Sequence, residues 1–171
     1  MKLYEFAPTP SCRRVSIFLK ELGLDVPREQ VNVRKGDNLS AEFSQKSVNG
    51  KVPLLELDSG ETICESVAIC RYFDSIKEND SSLFGESALD KAQVEMWHRV
   101  VEFQGLYAAF QAFRNISGIY QDRETCVSEW GYESKHRVAS FLPISDRRVS
   151  DSDYVAAERF TIVDIPAFIF V

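Results

Sequence analysis

The sequence predicts an N-terminal α/β domain of order βαβαββα followed by an all-α C-terminal domain. Short runs with the alternation of strands and the spacing of helices fill residues 1–76, whereas every apolar pattern after residue 87 has helical spacing. A polar, glycine-containing segment at 77–86 separates these two regions and is typical of a linker. We therefore expect domains at 1–76 and 87–171, joined by that linker.

The first domain is predicted to contain seven elements. Apolar residues at helical spacing, Val15, Phe18 and Leu19, mark its first helix, and Asp58-Ser59-Gly60 marks the turn of a hairpin. In chain order we expect a strand at 2–6, a helix opened by Pro10 or Ser11 and ended by Gly23, a strand at 26–33, a short helix at 38–45, hairpin strands at 52–57 and 61–64, and a helix capped by Ser66 that runs to 76.

The second domain is predicted to be helical throughout, with helices at about 87–117, from about 122 to 142 or 149, and from Thr161 onward. Thr161 and Asp164 form a capping-box pattern, with Phe160 and Ile165 placed as a hydrophobic staple. Pro166 falls where this last helix would need its N–H, which should weaken the helix by up to about 3 kcal/mol.

Composition excludes several classes of function. The net charge of −6 argues against nucleic acid or an anionic membrane as a partner, and no apolar run approaches the roughly 20 residues of a membrane span. The N-terminus has no apolar stretch typical of a secretory signal. Cys12, Cys64, Cys70 and Cys126 are scattered without a C-x-x-C pair, which predicts a reducing, cytoplasmic location and no metal. His98 and His136 are expected to be solvated.

The stretch Thr9-Pro10-Ser11-Cys12 lies at a predicted strand-to-helix turn. A Cys-Pro-x-Cys sequence there would be a redox dithiol, but here Thr9 stands at the first cysteine position. A hydroxyl near a helix N-terminus can stabilise a thiolate, and Thr9 and Ser11 are the hydroxyls of this turn. Ser11 comes first, because it lies nearest the helix N-terminus, and Tyr4 in the preceding strand is a further candidate.

Two other junctions carry residues suited to ligand binding. A cis peptide bond between Val52 and Pro53 would turn the Val52 backbone outward, where it could pair with an extended peptide; the alternative is a trans proline at a strand edge. At the next strand-to-helix junction, the helix N-terminus at Ser66 suits a carboxylate and Glu65 suits an ammonium group. The alternative there is simple helix capping.

The motifs FAPTPSCRRV, NGKVPLLEL and ESVAICRYF, in this order, resemble the thioredoxin-like domain of cytosolic glutathione transferases, and the second half resembles the family's all-helical domain. The resemblance covers the whole chain and implies a thioredoxin-like fold with a mixed four-stranded sheet. In the family, the start at Thr161 opens a core helix and further helices follow it. Since the chain ends about two turns later, we expect a C-terminally shortened helical domain.

The resemblance implies a glutathione site. Val52, before the cis Pro53, would pair with the cysteinyl backbone, and Glu65 with Ser66 would hold the γ-glutamyl group. Lys51 would reach the glycyl carboxylate or remain a solvated surface lysine.

The resemblance also bears on the turn, because glutathione brings its own thiol. Thr9 falls where several family members carry a catalytic serine, and Ser11 where a bacterial branch carries asparagine. Cys12 falls at the resolving position of a glutaredoxin-like turn, where it would form a mixed disulfide with glutathione or pack as a small apolar residue under the helix. Arg13 and Arg14 are expected on the helix surface or at the domain interface.

The same resemblance implies an enzyme that conjugates glutathione to a small electrophile, acts as a homodimer and needs no metal. Its electrophile site should lie between the domains, against residues of the long helix of the second domain. Those residues are Trp97, Phe103, Tyr107 and Phe110. The alternatives are a glutathione-dependent disulfide reductase and a non-catalytic binding module of the same fold.

Overall fold

The structure is a computed structural model that describes residues 1–77 and 81–171. The chain divides into two compact units, Met1–Asp80 and Ser81–Val171. The first unit is α/β and the second is helical, so the predicted fold class is confirmed. The predicted linker at 77–86 includes 78–80, which lie outside the described residues.

The first unit contains a mixed four-stranded sheet of order β2-β1-β3-β4. β1 is parallel to β2 and antiparallel to β3, and β3 is antiparallel to β4. β2 is shorter than the strand predicted at 26–33: Val26 and Val31 are buried but lie outside the three residues that pair with β1. The strands are β1 (Lys2–Glu5), β2 (Arg28–Gln30), β3 (Leu54–Glu56) and β4 (Thr62–Cys64).

Three helices complete this unit, and α1 contacts α3. Pro10 opens α1, where its fixed φ fits the first helical position, and Gly23 follows the helix end at φ 67°. A short 3₁₀ turn, Asp37–Leu39, precedes α2, which Ser40 caps by accepting from the Phe43 N–H. The helices are α1 (Pro10–Glu21), α2 (Ala41–Lys46) and α3 (Ser66–Ile76).

The second unit contains four helices, α4 (Ala88–Val100), α5 (Tyr107–Ser117), α6 (Ser128–Ser150) and α7 (Asp164–Phe170). The predicted helix at 87–117 is present, but Val101–Leu106 within it is a π-helix. The wider turn leaves the apolar pattern close to helical spacing, so the sequence pattern did not reveal it. α6 begins later than predicted, after a loop that occupies residues 118–127.

Of the two hydrogen bonds of the predicted capping box, one forms at the start of α7 and the other has a different donor. The Asp164 carboxylate accepts from the Thr161 N–H at 2.8 Å, as predicted, but the Thr161 hydroxyl accepts from the Val163 N–H at 3.4 Å. Because α7 begins at Asp164, Pro166 lies in the first helical turn, where an N–H has no partner within the helix. The predicted cost of Pro166 was therefore wrong.

One further expectation, about exposure, was wrong. His98 is fully buried rather than solvated, whereas His136 is exposed. Part of the predicted linker is packed into the second unit, because Phe84 is buried and the Leu83 carbonyl accepts from the Ile162 N–H at 3.0 Å. Of the helices that the structure describes, none combines the length and apolar character needed to cross a membrane.

Candidate active site

Strand register brings the three sequence motifs to one edge of the sheet. Tyr4 pairs with Leu54, and Leu54 pairs with Cys64 on its other side. The turn after β1, the segment before β3 and the residues after β4 therefore lie side by side. The residue patterns place these motifs on separate elements, and the strand register makes them neighbours.

The turn after β1 carries the hydroxyls of Thr9 and Ser11, and that of Thr9 forms a hydrogen bond within the turn. The Thr9 hydroxyl donates to the Phe6 carbonyl at 2.8 Å, and the Thr9 N–H donates to the same oxygen at 2.9 Å. Thr9 occupies the N-cap position of α1, but its side chain makes no capping hydrogen bond. Its only hydroxyl proton is thus committed to its own turn.

Ser11 lies one residue into α1 and is half-buried. Within residues 1–77 and 81–171, its hydroxyl has no hydrogen-bond partner. The positive end of the helix dipole lies at this position, so an anion there would meet both a hydroxyl proton and a favourable field.

Cys12 is completely buried, and its sulfur accepts from the Phe6 N–H at 3.4 Å. Burial raises the pKa of this thiol to about 11. The thiol is therefore neutral near pH 7, which favours the interpretation that Cys12 packs under the helix.

The Tyr4 hydroxyl is also engaged. It donates to the Glu56 carboxylate at 2.6 Å and accepts from the Lys46 ammonium at 2.8 Å. The hydrogen bonds that Lys46 donates to Tyr4 and Glu56 raise the pKa of Lys46. Tyr4 thus belongs to a polar cluster beside the sheet rather than to the turn.

The Val52–Pro53 peptide bond is cis, as predicted. Pro53 is buried and Val52 is half-buried just before β3. Neither the N–H nor the C=O of Val52 has a hydrogen-bond partner in the part of the chain that the structure describes. Lys51 is exposed, and its N–H donates to Ser47 Oγ at 3.2 Å and to Asn49 Oδ1 at 3.1 Å.

The N-cap residue of α3, at the junction after β4, is not the one that the sequence predicted. Glu65, not Ser66, holds the N-cap position of α3, and Ser66 is the first helical residue. Glu65 has φ 69° and ψ 119°, a sparsely populated backbone conformation that costs a residue with a side chain about 1–3 kcal/mol. Residues held in such conformations cluster at functional sites.

Glu65 is exposed and Ser66 is buried, and each has a hydrogen-bond partner from a distant segment of the chain. Glu65 Oε1 accepts from Asn49 Nδ2 at 2.9 Å, and Ser66 Oγ accepts from Arg14 Nη1 at 2.8 Å. Arg14 is only 2% exposed, so the expectation that it lies on the helix surface was wrong.

The sequence reasoning did not predict the hydrogen bonds of Asn49 and Arg14 to these two residues. Asn49 begins the quoted motif NGKVPLLEL, and Arg14 lies in FAPTPSCRRV. Their partners are 16 and 52 residues away in sequence. No local pattern indicates such pairs.

The four candidate electrophile-site residues all lie in the second unit. Trp97 and Phe110 are half-buried, whereas Phe103 is 55% and Tyr107 50% exposed. The Arg148 guanidinium lies 5.5 Å from the centre of the Trp97 ring. That these residues contact an electrophile stays a prediction.

Comparisons with known proteins agree on one family. The model of the glutathione S-transferase N-terminal domain matches residues 3–81. The structure is similar to that of a Gtt2-class glutathione S-transferase of Vibrio parahaemolyticus, with 65% identity, a TM-score of 0.86, and coverage of 99% of this chain and 79% of that chain. For Gtt2 of Saccharomyces cerevisiae the identity is 28%, the TM-score 0.93, and the coverage 99% and 83%.

A curated relative supports the same assignment. Glutathione S-transferase 2 of Saccharomyces cerevisiae is 27% identical over 165 residues, which cover 92% of this chain and 68% of that protein. From the match at 3–81, these relatives and the thioredoxin-like fold, we conclude that the chain belongs to the glutathione S-transferase family.

Proposed function

We propose that the protein is a glutathione transferase, which binds glutathione, stabilises its thiolate and conjugates it to small electrophiles. The observation that carries this proposal is the strand register. It brings together, at one edge of the sheet, three features that suit three parts of the same tripeptide. The family uses glutathione as a substrate, which supports the choice of ligand.

The Val52 backbone would bind the cysteinyl residue. Its N–H and C=O have no partner among the described residues and lie just before β3, outside the ladders that β3 forms with β1 and β4. An extended peptide can pair with such groups as an added strand. Lys51, which is exposed nearby, would meet the glycyl carboxylate.

Glu65 and Ser66 would bind the γ-glutamyl head. The Glu65 carboxylate accepts from the α-ammonium, and the N-terminus of α3 favours the α-carboxylate. Because Arg14 donates to Ser66 Oγ, the hydroxyl proton of Ser66 is left to donate to that carboxylate. Arg14 thus makes Ser66 a donor at the site.

Ser11 would act on the thiol. A free thiol has a pKa of about 8.5, and a hydroxyl that donates to the thiolate lowers that pKa. Ser11 is preferred over Thr9, because the Thr9 hydroxyl already donates to Phe6. The electrophile would bind against Trp97, Phe103, Tyr107 and Phe110. The protein would act in the cytoplasm as a homodimer.

The two alternatives have less support. A disulfide reductase would use the Cys12 thiolate, but burial holds that thiol neutral near pH 7. A non-catalytic module would not need the Val52 and Glu65 groups together at one edge.

Calorimetric titration with glutathione tests the proposal. Glu65→Ala should weaken binding by about 1–3 kcal/mol, as expected for the loss of a charged hydrogen-bond partner. Glu61→Ala, which removes an exposed carboxylate just before β4, is the matched control and should bind like the wild type. Unchanged affinity in a folded Glu65→Ala protein would place the site elsewhere. Turnover of an activated aryl halide then separates a transferase from a binding module.

A further inference from the structure

One side chain, Asn49, joins the two segments that carry the proposed peptide and head-group contacts. Its Nδ2 donates to Glu65 Oε1 at 2.9 Å, and its Oδ1 accepts from the Lys51 N–H at 3.1 Å. Lys51 directly precedes Val52. The Asn49 side-chain N–H thus binds the Glu65 carboxylate, the proposed acceptor for the head group. The Asn49 side-chain oxygen binds the loop that leads to Val52, the proposed peptide contact.

The Glu65 carboxylate needs such a partner if it is to select a ligand. An exposed glutamate side chain samples several rotamers, and holding it at the moment of binding costs conformational entropy. A carboxylate that is already held by one oxygen avoids much of that cost. Its second oxygen remains able to accept from an ammonium group.

We propose that Asn49 is a positioning residue, which orients the Glu65 carboxylate and thereby gives the site its preference for a ligand with a free α-ammonium group. This inference rests on the proposed glutathione site. Asn49 itself does not need to contact the ligand.

The chain offers a matched control for general effects on the same loop. Asn38 Nδ2 donates to the Gly50 carbonyl at 2.7 Å, so Asn38 also holds the loop that contains Asn49. The hydrogen bonds of its side chain do not extend to Glu65 among the described residues. Asn38→Ala therefore disturbs the loop without removing the partner of the carboxylate.

The experiment measures the affinity of the full chain for two ligands by calorimetry. One is glutathione, and the other is its analogue with glutaryl in place of γ-glutamyl, which lacks the α-ammonium. Asn49→Ala should weaken glutathione binding by about tenfold, as for the loss of a hydrogen bond to a charged group, and change the Kd of the analogue by less than about twofold. Asn38→Ala should weaken the two ligands by equal factors.

Asn49→Asp provides a second variant. It keeps an acceptor for the Lys51 N–H but replaces the donor to Glu65 with a like charge, which is unfavourable at hydrogen-bond distance. Its loss of glutathione affinity should be at least as large as that of Asn49→Ala, again without an equal loss for the analogue.

The outcomes separate this inference from the function on which it rests. Equal weakening of both ligands by Asn49→Ala, or the same selective loss in Asn38→Ala, would overturn the positioning role. So would unchanged binding in both Asn49 variants when Glu65→Ala does weaken glutathione binding. If the wild type binds neither ligand, the proposed function fails as well.

Discussion

Removal of the Ser11 hydroxyl should raise the pKa of the bound glutathione thiol, whereas removal of the Thr9 hydroxyl should change it much less. The two residues flank Pro10 at the start of α1 and differ in what their hydroxyls contact. The Thr9 hydroxyl donates to the Phe6 carbonyl at 2.8 Å, while that of Ser11 has no partner in the described chain. Only Ser11 therefore has a proton available for a thiolate.

The size of the effect follows from the energy of one hydrogen bond to a charged acceptor. Such a bond contributes about 1.5–3 kcal/mol, and one pKa unit corresponds to about 1.4 kcal/mol. Because Ser11 is only half-buried, the lower end of this range applies. We expect Ser11→Ala to raise the thiol pKa by about one unit and Thr9→Ala by less than about half a unit.

The assay follows the ultraviolet absorbance of the thiolate against pH at saturating glutathione. Cys12→Ala is the control, because burial raises the pKa of the Cys12 thiol to about 11 and keeps it from ionising in the range of the titration. Conjugation by this variant should remain largely intact. Equal shifts in the two hydroxyl variants, or a larger shift in Thr9→Ala, would refute the assignment of Ser11. Loss of turnover in Cys12→Ala alone would instead indicate a monothiol mechanism.

The remaining predictions concern stability, measured by urea unfolding. Burial raises the folded-state pKa of Cys12 from 9.0 to about 11, so its contribution to stability is complete below pH 9 and is lost as the pH rises towards 11. In the wild type, this ionisation should lower the free energy of unfolding by about 2–3 kcal/mol at high pH, and Cys12→Ala should abolish that decrease. Asp164→Ala should cost about 2–4 kcal/mol, because the Thr161 N–H and a second N–H lose their acceptor. Gly131→Ala should cost about 1–2 kcal/mol, because its Cβ would lie 2.8 Å from a side-chain carbon of Ile116.

Each stability prediction is checked against the wild type or against a control variant. The pH profile of Cys12→Ala is compared with that of the wild type, and parallel profiles would contradict the role of burial. Asp151 is exposed, so Asp151→Ala should change stability little, and an equally small effect of Asp164→Ala would contradict the capping role. Ser140 is exposed on α6, and Ser140→Ala should be nearly neutral; a similarly neutral Gly131→Ala would contradict the close packing of α5 on α6.

The order of elements could be predicted from the sequence because its signals are local. Apolar spacing distinguishes helix from strand within about ten residues, and Pro10 and Gly23 mark the ends of α1 through their own backbone preferences. The Val52–Pro53 motif and the junction at Glu65 were likewise found as short segments. For these features, the residues that determine the structure are neighbours in the chain.

Local patterns were insufficient where the deciding contact is a side chain's partner elsewhere in the fold. Charged neighbours along the helix suggested that His98 is solvated, but the face it occupies is covered by other parts of the fold. The sequence placed Ser11 only slightly ahead of Thr9, and the structure separates them because the Thr9 hydroxyl donates to the Phe6 carbonyl.

The sequence by itself determined the domain order, the α/β and helical classes and the segments of the candidate site. Only the tertiary structure decided that Arg14 donates to Ser66 and that Asn49 donates to Glu65. The physical reason is tertiary packing, which sets α1 against α3 and pairs β3 with β4. A pairing such as Leu54 with Cys64 depends on the packing of the whole sheet, and it places distant side chains within hydrogen-bond distance without leaving a periodic trace in either segment.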